Sequence, residues 1–122
     1  MRLPSILIVE DDARLRGIIA RNLALAGYTV FEAGTFREAT EHLVIKPALL
    51  ILDISLPDAT GWDLAQWIET LTEPPPILVI SGLTPDPREM RHFHPIGFLP
   101  KPFPIHDLLA VVRGQLPLAG AV

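Results

Sequence analysis

Five short aliphatic runs, each followed by a segment with helical periodicity, constrain the fold of this chain more than any other feature. The clearest run is LLIL at 49–52, and the others lie at 6–9, 28–32, 77–80 and 98–99. Continuous apolar runs are typical of parallel strands that are buried on both faces. Because right-handed crossovers place the intervening helices on both sides of such a sheet, the sequence predicts a doubly wound α/β fold.

The first two segments between the runs carry the signals of helices. In the first, the predicted inward residues are Leu15, Ile18, Ile19, Leu23 and Ala26, and Gly27 is the expected stop. Asp12 is expected to cap this helix. In the second, Thr35 and Glu38 have the spacing of a capping box, and the helix should continue through Leu43 and close at 46–47.

Proline limits the helices of the second half. The predicted helices there are one over 62–71 with Leu64, Ile68 and Leu71 inward, a short fourth helix over 88–93, and a last helix with Ile105, Leu108, Leu109 and Val112 inward. The three prolines at 74–76 block extension of the third helix. Pro85, Pro87 and Pro95 restrict the fourth helix to about two turns.

Polar residues follow the predicted strands, and each strand end supplies a different kind of group. They are Glu10, Asp11 and Asp12 after the first strand, Asp53 after the third, Ser81 and Gly82 after the fourth, and Pro100, Lys101 and Pro102 at the fifth. In doubly wound sheets, ligands bind beyond the carboxyl ends of the strands, where the strand order reverses. The sequence therefore predicts a binding site at this edge.

The chemistry of that collection favours a metal ion and phosphoryl transfer. Converging carboxylates repel one another unless a cation neutralises them, and Mg²⁺ or Mn²⁺ prefers such oxygen ligands. Asp11 and Asp53 could bind the ion directly while Glu10 orients a water. Lys101 and the Ser81 hydroxyl suit phosphoryl oxygens. A carboxylate can act as the nucleophile that accepts a phosphoryl group, and Asp53 is the candidate.

These residues resemble a family. The stretches ILIVEDD, LLILDISLPDATGWDL, ILVISGL and GFLPKPF, in this order, are similar to the receiver domains of two-component response regulators, including chemotaxis regulators. The resemblance implies a flavodoxin-like fold with strand order 2-1-3-4-5. It also implies a signalling phosphoacceptor that takes a phosphoryl group from a sensor histidine kinase or phosphotransfer protein, with autophosphotransfer and slow autodephosphorylation.

The resemblance also assigns roles by position. Asp53 is the phosphoacceptor, Glu10, Asp11, Asp53 and the backbone carbonyl of Ser55 bind the metal, Ser81 and Phe98 are the switch residues, and Lys101 contacts the phosphoryl group. A cis peptide bond between Lys101 and Pro102 is expected as well. The phosphorylated domain would switch a protein-binding surface for an unknown output partner or domain, with a phosphorylation-dependent dimer as one outcome.

Other interpretations of the same residues remain open. Asp11 could cap a helix, Ser81 could be a satisfied hydroxyl, and Phe98 alone is typical of a core residue. Among whole-protein alternatives, a haloacid dehalogenase-like phosphohydrolase would need an acid two positions after Asp53, where this chain has Ser55. A flavodoxin would need hydroxyls and glycine after the first strand instead of three acids. A degenerate receiver would lack the site residues.

Length and charge set the remaining expectations. The 122 residues predict a single domain over 1–122, either a stand-alone receiver or the N-terminal part of a longer regulator. A formal net charge of -4 predicts no direct nucleic acid binding, and the absence of cysteine and of a long apolar run predicts a cytoplasmic domain without a membrane span. His42, His92, His94 and His106 lack metal-ligand spacing and are interpreted as surface or packing residues.

Overall fold

The computed structural model describes residues 4–118, and the other residues of the predicted 1–122 domain lie outside this part. The strands are β1 (Ser5–Val9), β2 (Thr29–Ala33), β3 (Leu49–Asp53), β4 (Ile77–Ser81) and β5 (Gly97–Pro100). The helices are α1 (Ala13–Leu25), α2 (Phe36–His42), α3 (Gly61–Ile68), α4 (Pro87–Phe93) and α5 (Ile105–Gln115), with a 3-10 turn at Leu43–Ile45. None of the helices within 4–118 is long and apolar enough to cross a membrane.

The strands form one parallel sheet in the order β2-β1-β3-β4-β5, which confirms the predicted flavodoxin-like topology. Val9 pairs with Leu52, so Glu10 and Asp53 follow at the same level of two neighbouring strands. On the other side of β3, Asp53 pairs with Ile80, one residue before Ser81. The register therefore brings the ends of β1, β3 and β4 to one edge of the sheet.

Alternate residues of the central strands build two cores. Leu7, Val9, Leu50, Leu52 and Val79 face α2 and α3, together with Ala39, Leu64, Ala65 and Ile68 of those helices. Ile6, Ile8, Leu49, Ile51, Leu78 and Ile80 face α1 and α5, together with Ile19, Leu23, Leu108 and Val112. Each central strand thus buries both faces, which explains why its sequence is apolar without alternation.

The third helix is shorter than predicted, because it ends at Ile68 and not at residue 71. The amide of Glu69 still donates four residues back, to the carbonyl of Ala65, but the amides of Thr70 and Leu71 donate only three residues back, to the carbonyls of Trp67 and Ile68, and do not continue the α-helical pattern. The chain instead leaves the helix in turns, with the hydroxyl of Thr70 donating to the carbonyl of Trp67 at 2.6 Å. Leu71 still packs partly against the core, as expected.

Two local predictions for α1 and α2 were wrong in detail. Ile18 is 47% exposed. Successive helix residues point about 100° apart, so Ile18 lies outside the buried face that Ile19 and Leu23 form. In α2, Thr35 accepts from the amide of Glu38 as expected, but the Glu38 carboxylate accepts from Gly34 and does not close the box on Thr35. The predicted cap Asp12 is confirmed.

The fourth helix has only seven residues, as the prolines predict. Asp86 caps it, Pro87 opens it, and its described residues include none that is fully buried. It contacts α3 through Phe93, whose ring stacks on Trp62 with centroids 5.4 Å apart, and through His92, which lies 3.1 Å from Glu69 at the end of α3. The helix ends at His94 in the left-handed conformation, with φ 49°. This short helix therefore packs on α3 through an aromatic pair and a contact between a histidine and a carboxylate.

Candidate functional site

Asp53 ends the central strand β3 and lies in the middle of the polar edge. Its side chain is almost completely buried, with 2% exposed. One carboxylate oxygen, Oδ1, accepts from the amide of Ser55 at 2.9 Å, and the other, Oδ2, accepts from the ammonium of Lys101 at 3.0 Å. An ionised carboxylate can remain at the end of a buried strand because both of its oxygens have donors.

Glu10 follows β1 and is held from several sides. Its amide donates to the carbonyl of Ala33 at 3.0 Å, and its Oε2 accepts from the amide of Asp12 at 3.1 Å. The Lys101 ammonium forms an ion pair with Oε1. This contact does not have the angles of a hydrogen bond. Within residues 4–118, Glu10 Oε1 is therefore a buried oxygen that accepts no hydrogen bond.

The third acid, Asp11, completes a carboxylate cluster. Among the residues described, one oxygen each from Glu10, Asp11 and Asp53 lies within 4.8 Å of the others. Burial raises the pKa of Glu10 to about 7, although Lys101 opposes this. Burial also disfavours ionisation of Asp11, but hydrogen bonds with Glu10, Asp53 and its own backbone and the charge of Lys101 together outweigh burial, and the pKa of Asp11 is lowered.

This donor set fits a hard divalent cation. Mg²⁺ binds through one or two carboxylates and retains several waters, and Asp11 is exposed enough to leave room for them. Glu10 adds a third carboxylate to this set, and its Oε1 is paired with the Lys101 ammonium. The cluster can therefore hold Mg²⁺ or Mn²⁺, as the sequence predicts.

Lys101 comes from the turn after β5 and reaches two of the acids. Its amide donates to the carbonyl of Ser81 at 2.8 Å, which fixes the turn to the end of β4. The expected cis peptide bond to Pro102 is present. Although burial opposes it, the close contacts with the carboxylates of Glu10 and Asp53 raise the pKa of Lys101 above its usual value. The ammonium therefore stays charged, and 23% of the side chain remains exposed.

Ser81 and its neighbours form the loop next to the acid cluster. Ser81 is fully buried, and its hydroxyl oxygen accepts from the amide of Leu83 at 2.9 Å. Within the described chain, a Cβ atom at Gly82 would meet no heavy atom within 4 Å. Packing inside the domain therefore does not require a glycine at residue 82. Its small size leaves space next to the acid cluster.

The remaining predicted residues lie around this centre. Phe98, in β5, is half-buried and packs against the core on the α2 and α3 side. Ser55 is exposed, and its backbone amide donates a hydrogen bond to the Asp53 carboxylate, which places its backbone beside the acid. The histidines lie elsewhere: His92 is 3.1 Å from Glu69, His106 is 3.1 Å from Asp107, His42 lies near the ring of Phe31, and His94 ends α4.

Two residues that support the site were missed by the sequence interpretation. Gly61 packs so closely on the end of β3 that a Cβ atom there would lie 2.6 Å from the carbonyl oxygen of Asp53. Arg16 donates to the backbone carbonyl of Glu10 at 2.8 Å. A glycine before a helical segment was a possible signal for Gly61. An arginine within a helix gives no such signal for Arg16.

A doubly wound sheet that gathers three acids and a lysine at its carboxyl edge defines the class of aspartate phosphoacceptor domains. The chain belongs to the family of response regulator receiver domains, which it matches over residues 6–113. It is a receiver domain of the two-component type, a signalling protein, and this confirms the predicted family and fold.

Relatives of known name and structure agree with this membership. The transcriptional regulatory protein HprR of Escherichia coli is 34% identical over 114 residues, covering 91% of this chain and 51% of that protein. The non-phosphorylated HemR receiver domain from Leptospira biflexa is 32% identical, with a TM-score of 0.83 and coverage of 94% and 95%. Chemotaxis response regulator CheY4 of Vibrio cholerae is 26% identical, with a TM-score of 0.84 and coverage of 94% and 100%. The chain spans about half the length of the curated relatives it matches.

Proposed function

We propose that this domain accepts a phosphoryl group on Asp53 from a sensor histidine kinase or a phosphotransfer protein. The observation that carries the proposal is the position of Asp53, which is bound by Lys101 and lies within 4.8 Å of two further carboxylates. The arrangement combines a nucleophile, a cation for the transferred group and a ligand set for a metal ion.

The transfer uses Asp53 Oδ as the nucleophile. A bond forms between this oxygen and phosphorus while the bond from phosphorus to the donor nitrogen breaks, and its electron pair leaves with the histidine. Lys101, which pairs with Asp53 before the reaction, turns its ammonium toward a phosphoryl oxygen. Its raised pKa keeps the ammonium charged through this exchange. Ser81 supplies a hydroxyl donor from the neighbouring strand end.

The metal ligands in this proposal are the carboxylates of Glu10, Asp11 and Asp53 and the backbone carbonyl of Ser55. When bound, Mg²⁺ or Mn²⁺ supplies positive charge that offsets the repulsion between the carboxylates and the incoming phosphoryl oxygens. The three carboxylates themselves provide hard oxygen donors that lie within 4.8 Å of one another.

The phosphoryl group is expected to persist as a signal. A rapid phosphohydrolase of the aspartyl type would need an acid two positions after the nucleophile, and this chain has Ser55 there. We therefore infer autophosphotransfer from small donors with slow autodephosphorylation. We further propose that residues 1–122 work as one domain in the cytoplasm. The phosphorylated surface, including Phe98, engages an output partner, an output domain or a second copy of the chain.

Acetyl phosphate and Mg²⁺ test this proposal with the whole chain. We expect the incorporation of one acid-stable, base-labile phosphoryl group per molecule, its loss in Asp53→Asn, and normal incorporation in the control Asp107→Asn, which removes an exposed acid of α5. Equal labelling of Asp53→Asn and wild type would disprove the assignment of the acceptor. Steady turnover of phosphate monoesters would favour the hydrolase interpretation instead.

A further inference from the structure

Arg16 makes contacts that the proposed phosphoryl chemistry does not use. It lies in the first turns of α1, and its side chain is only 20% exposed. Its Nη1 donates to the backbone carbonyl of Glu10 at 2.8 Å, and its Nε donates to Oε1 of Glu32 at 3.2 Å. The guanidinium therefore bridges the loop after β1 and the end of the edge strand β2.

The carbonyl that Arg16 holds belongs to the peptide between the two acids Glu10 and Asp11. The amide of Glu10 is fixed independently, because it donates to the carbonyl of Ala33 at 3.0 Å. The carbonyl of Glu10, which points out of the peptide leading to Asp11, accepts its side-chain hydrogen bond from Arg16. Two contacts therefore set the direction in which the Asp11 carboxylate leaves the backbone: the one from Arg16 and the one from the amide of Asp12 to Glu10 Oε2.

Gly34 keeps the space that this guanidinium occupies. A Cβ atom at residue 34 would lie 2.9 Å from Arg16 Nη1, which is too close for the present position of the side chain. The atom it would meet is the flexible end of a side chain, and Gly34 does not have a positive φ. An alanine at this position would therefore displace the guanidinium while the backbone stays acceptable, which gives a second way to perturb the contact.

We propose that Arg16 is a positioning residue for the metal site, because it holds the Glu10–Asp11 peptide so that both carboxylates converge with Asp53. This role presupposes the metal site proposed above. The charge of Arg16 acts in the opposite direction: a cation close to the acids repels a divalent ion, so its removal alone would strengthen metal binding. The sign of the change in Mg²⁺ affinity therefore separates positioning from simple electrostatics.

Isothermal titration of the whole chain with MgCl₂ measures this affinity without any phosphoryl transfer. We expect Arg16→Met to bind Mg²⁺ about tenfold more weakly than wild type, the lower end of the range for residues that orient metal ligands. Arg16→Lys keeps the charge but lacks the planar fork that spans Glu10 and Glu32, so it should also bind more weakly. Gly34→Ala should change the affinity in the same direction.

The matched control is Arg37→Met, which removes the same charge from a side chain that is 88% exposed on α2. Its Mg²⁺ affinity should equal that of wild type. Thermal unfolding of each variant reports its stability separately, since a purely structural role would lower stability and leave the affinity of the folded protein unchanged. If Arg16→Met does not fold, Arg16→Lys and Gly34→Ala decide the question.

The outcomes separate this role from the metal site itself. Unchanged or tighter Mg²⁺ binding in folded Arg16 variants would overturn the positioning role, provided that Asp11→Asn weakens binding. If Asp11→Asn binds Mg²⁺ as well as wild type, the metal site is wrong and the role of Arg16 falls with it. Weaker binding in both Arg16 variants and in Gly34→Ala, with Arg37→Met unaffected, supports it.

Discussion

At the residue scale, Lys101 allows the buried acids to coexist. Its ammonium contacts Asp53 and Glu10, which come from two different strands, while it enters from a third. The sequence identified all three residues because each follows a strand. It did not identify their pairing, since the side-chain contact depends on the turn between Ser81 and Lys101. Lys101 is thus a counterion before any phosphoryl group arrives.

The buried acid Glu10 gives the metal-free domain a defined pH dependence. Because its pKa is raised from 4.5 to about 7, the folded state holds more protons than the unfolded state between these values. The contribution of Glu10 to stability is therefore present below pH 4.5 and is lost as pH rises through about 7. Urea titrations across this window, without divalent ions, should show the free energy of unfolding decreasing.

The control for this pH dependence is Glu10→Gln, which keeps the shape of the side chain and removes its titration. The difference in the free energy of unfolding between wild type and Glu10→Gln should change steadily over the same window. A difference that does not vary with pH would show that Glu10 has an ordinary pKa in the folded state.

At the scale of elements, strands were easier to predict than helix ends. All five strands lie within one residue of their predicted positions, and in the central strands β1, β3 and β4 burial on two faces leaves a strong apolar signal. The end of α3 was missed because the inward apolar spacing continues to Leu71, whereas the backbone changes after Glu69 to hydrogen bonds that reach back only three residues. The short α4 was predicted correctly because prolines flank it and limit its length.

The start of α3 is set by Gly61, and this leads to a prediction about stability. A Cβ atom there would lie 2.5 Å from the Cα atom of Ile54 and 2.6 Å from the carbonyl oxygen of Asp53, both backbone atoms that cannot turn away. We expect Gly61→Ala to lower the free energy of unfolding by about 1 to 3 kcal/mol, as overpacking does. Chemical denaturation measures this change.

Gly114 of α5 is the matched control, because a Cβ atom there would meet no heavy atom within 4 Å in the described structure. Gly114→Ala should raise stability by up to about 1 kcal/mol, since alanine favours a helix over glycine. Equal effects of the two substitutions would mean that the contact of Gly61 with β3 is not tight in solution.

At the scale of the whole molecule, the strand order explains why the site was predictable. Parallel strands end at the same edge, so residues distant in sequence meet there once β1, β3, β4 and β5 are placed. Strand ends alone identified Glu10, Asp11, Asp53, Ser81 and Lys101, whereas the roles of Ser55 and Phe98 came from the family resemblance. Arg16 had no sequence signal, because its role comes from a contact between a helix and a neighbouring loop, and the only signal for Gly61 was a glycine before a helical segment.

The same architecture predicts where phosphorylation is felt. The Ser81 hydroxyl accepts from the amide of Leu83, so a phosphoryl oxygen that recruits this hydroxyl must disturb the loop leading to α4. Because α4 is short and flanked by prolines, we expect the change to stay within residues 82–98. Hydrogen exchange with and without beryllofluoride and Mg²⁺ should show altered protection there, and Ser81→Ala should remove the change. A uniform response across the domain would disagree with this coupling.

The most direct test of the account locates the phosphoryl group. After reaction with acetyl phosphate and Mg²⁺, reduction of the acyl phosphate with borohydride followed by peptide mapping identifies the modified residue. We predict a single modification at Asp53, the acid that Lys101 contacts at 3.0 Å. Modification at Glu10 or at Asp11, with Asp53 unmodified, would contradict the assignment of Asp53 as the phosphoacceptor.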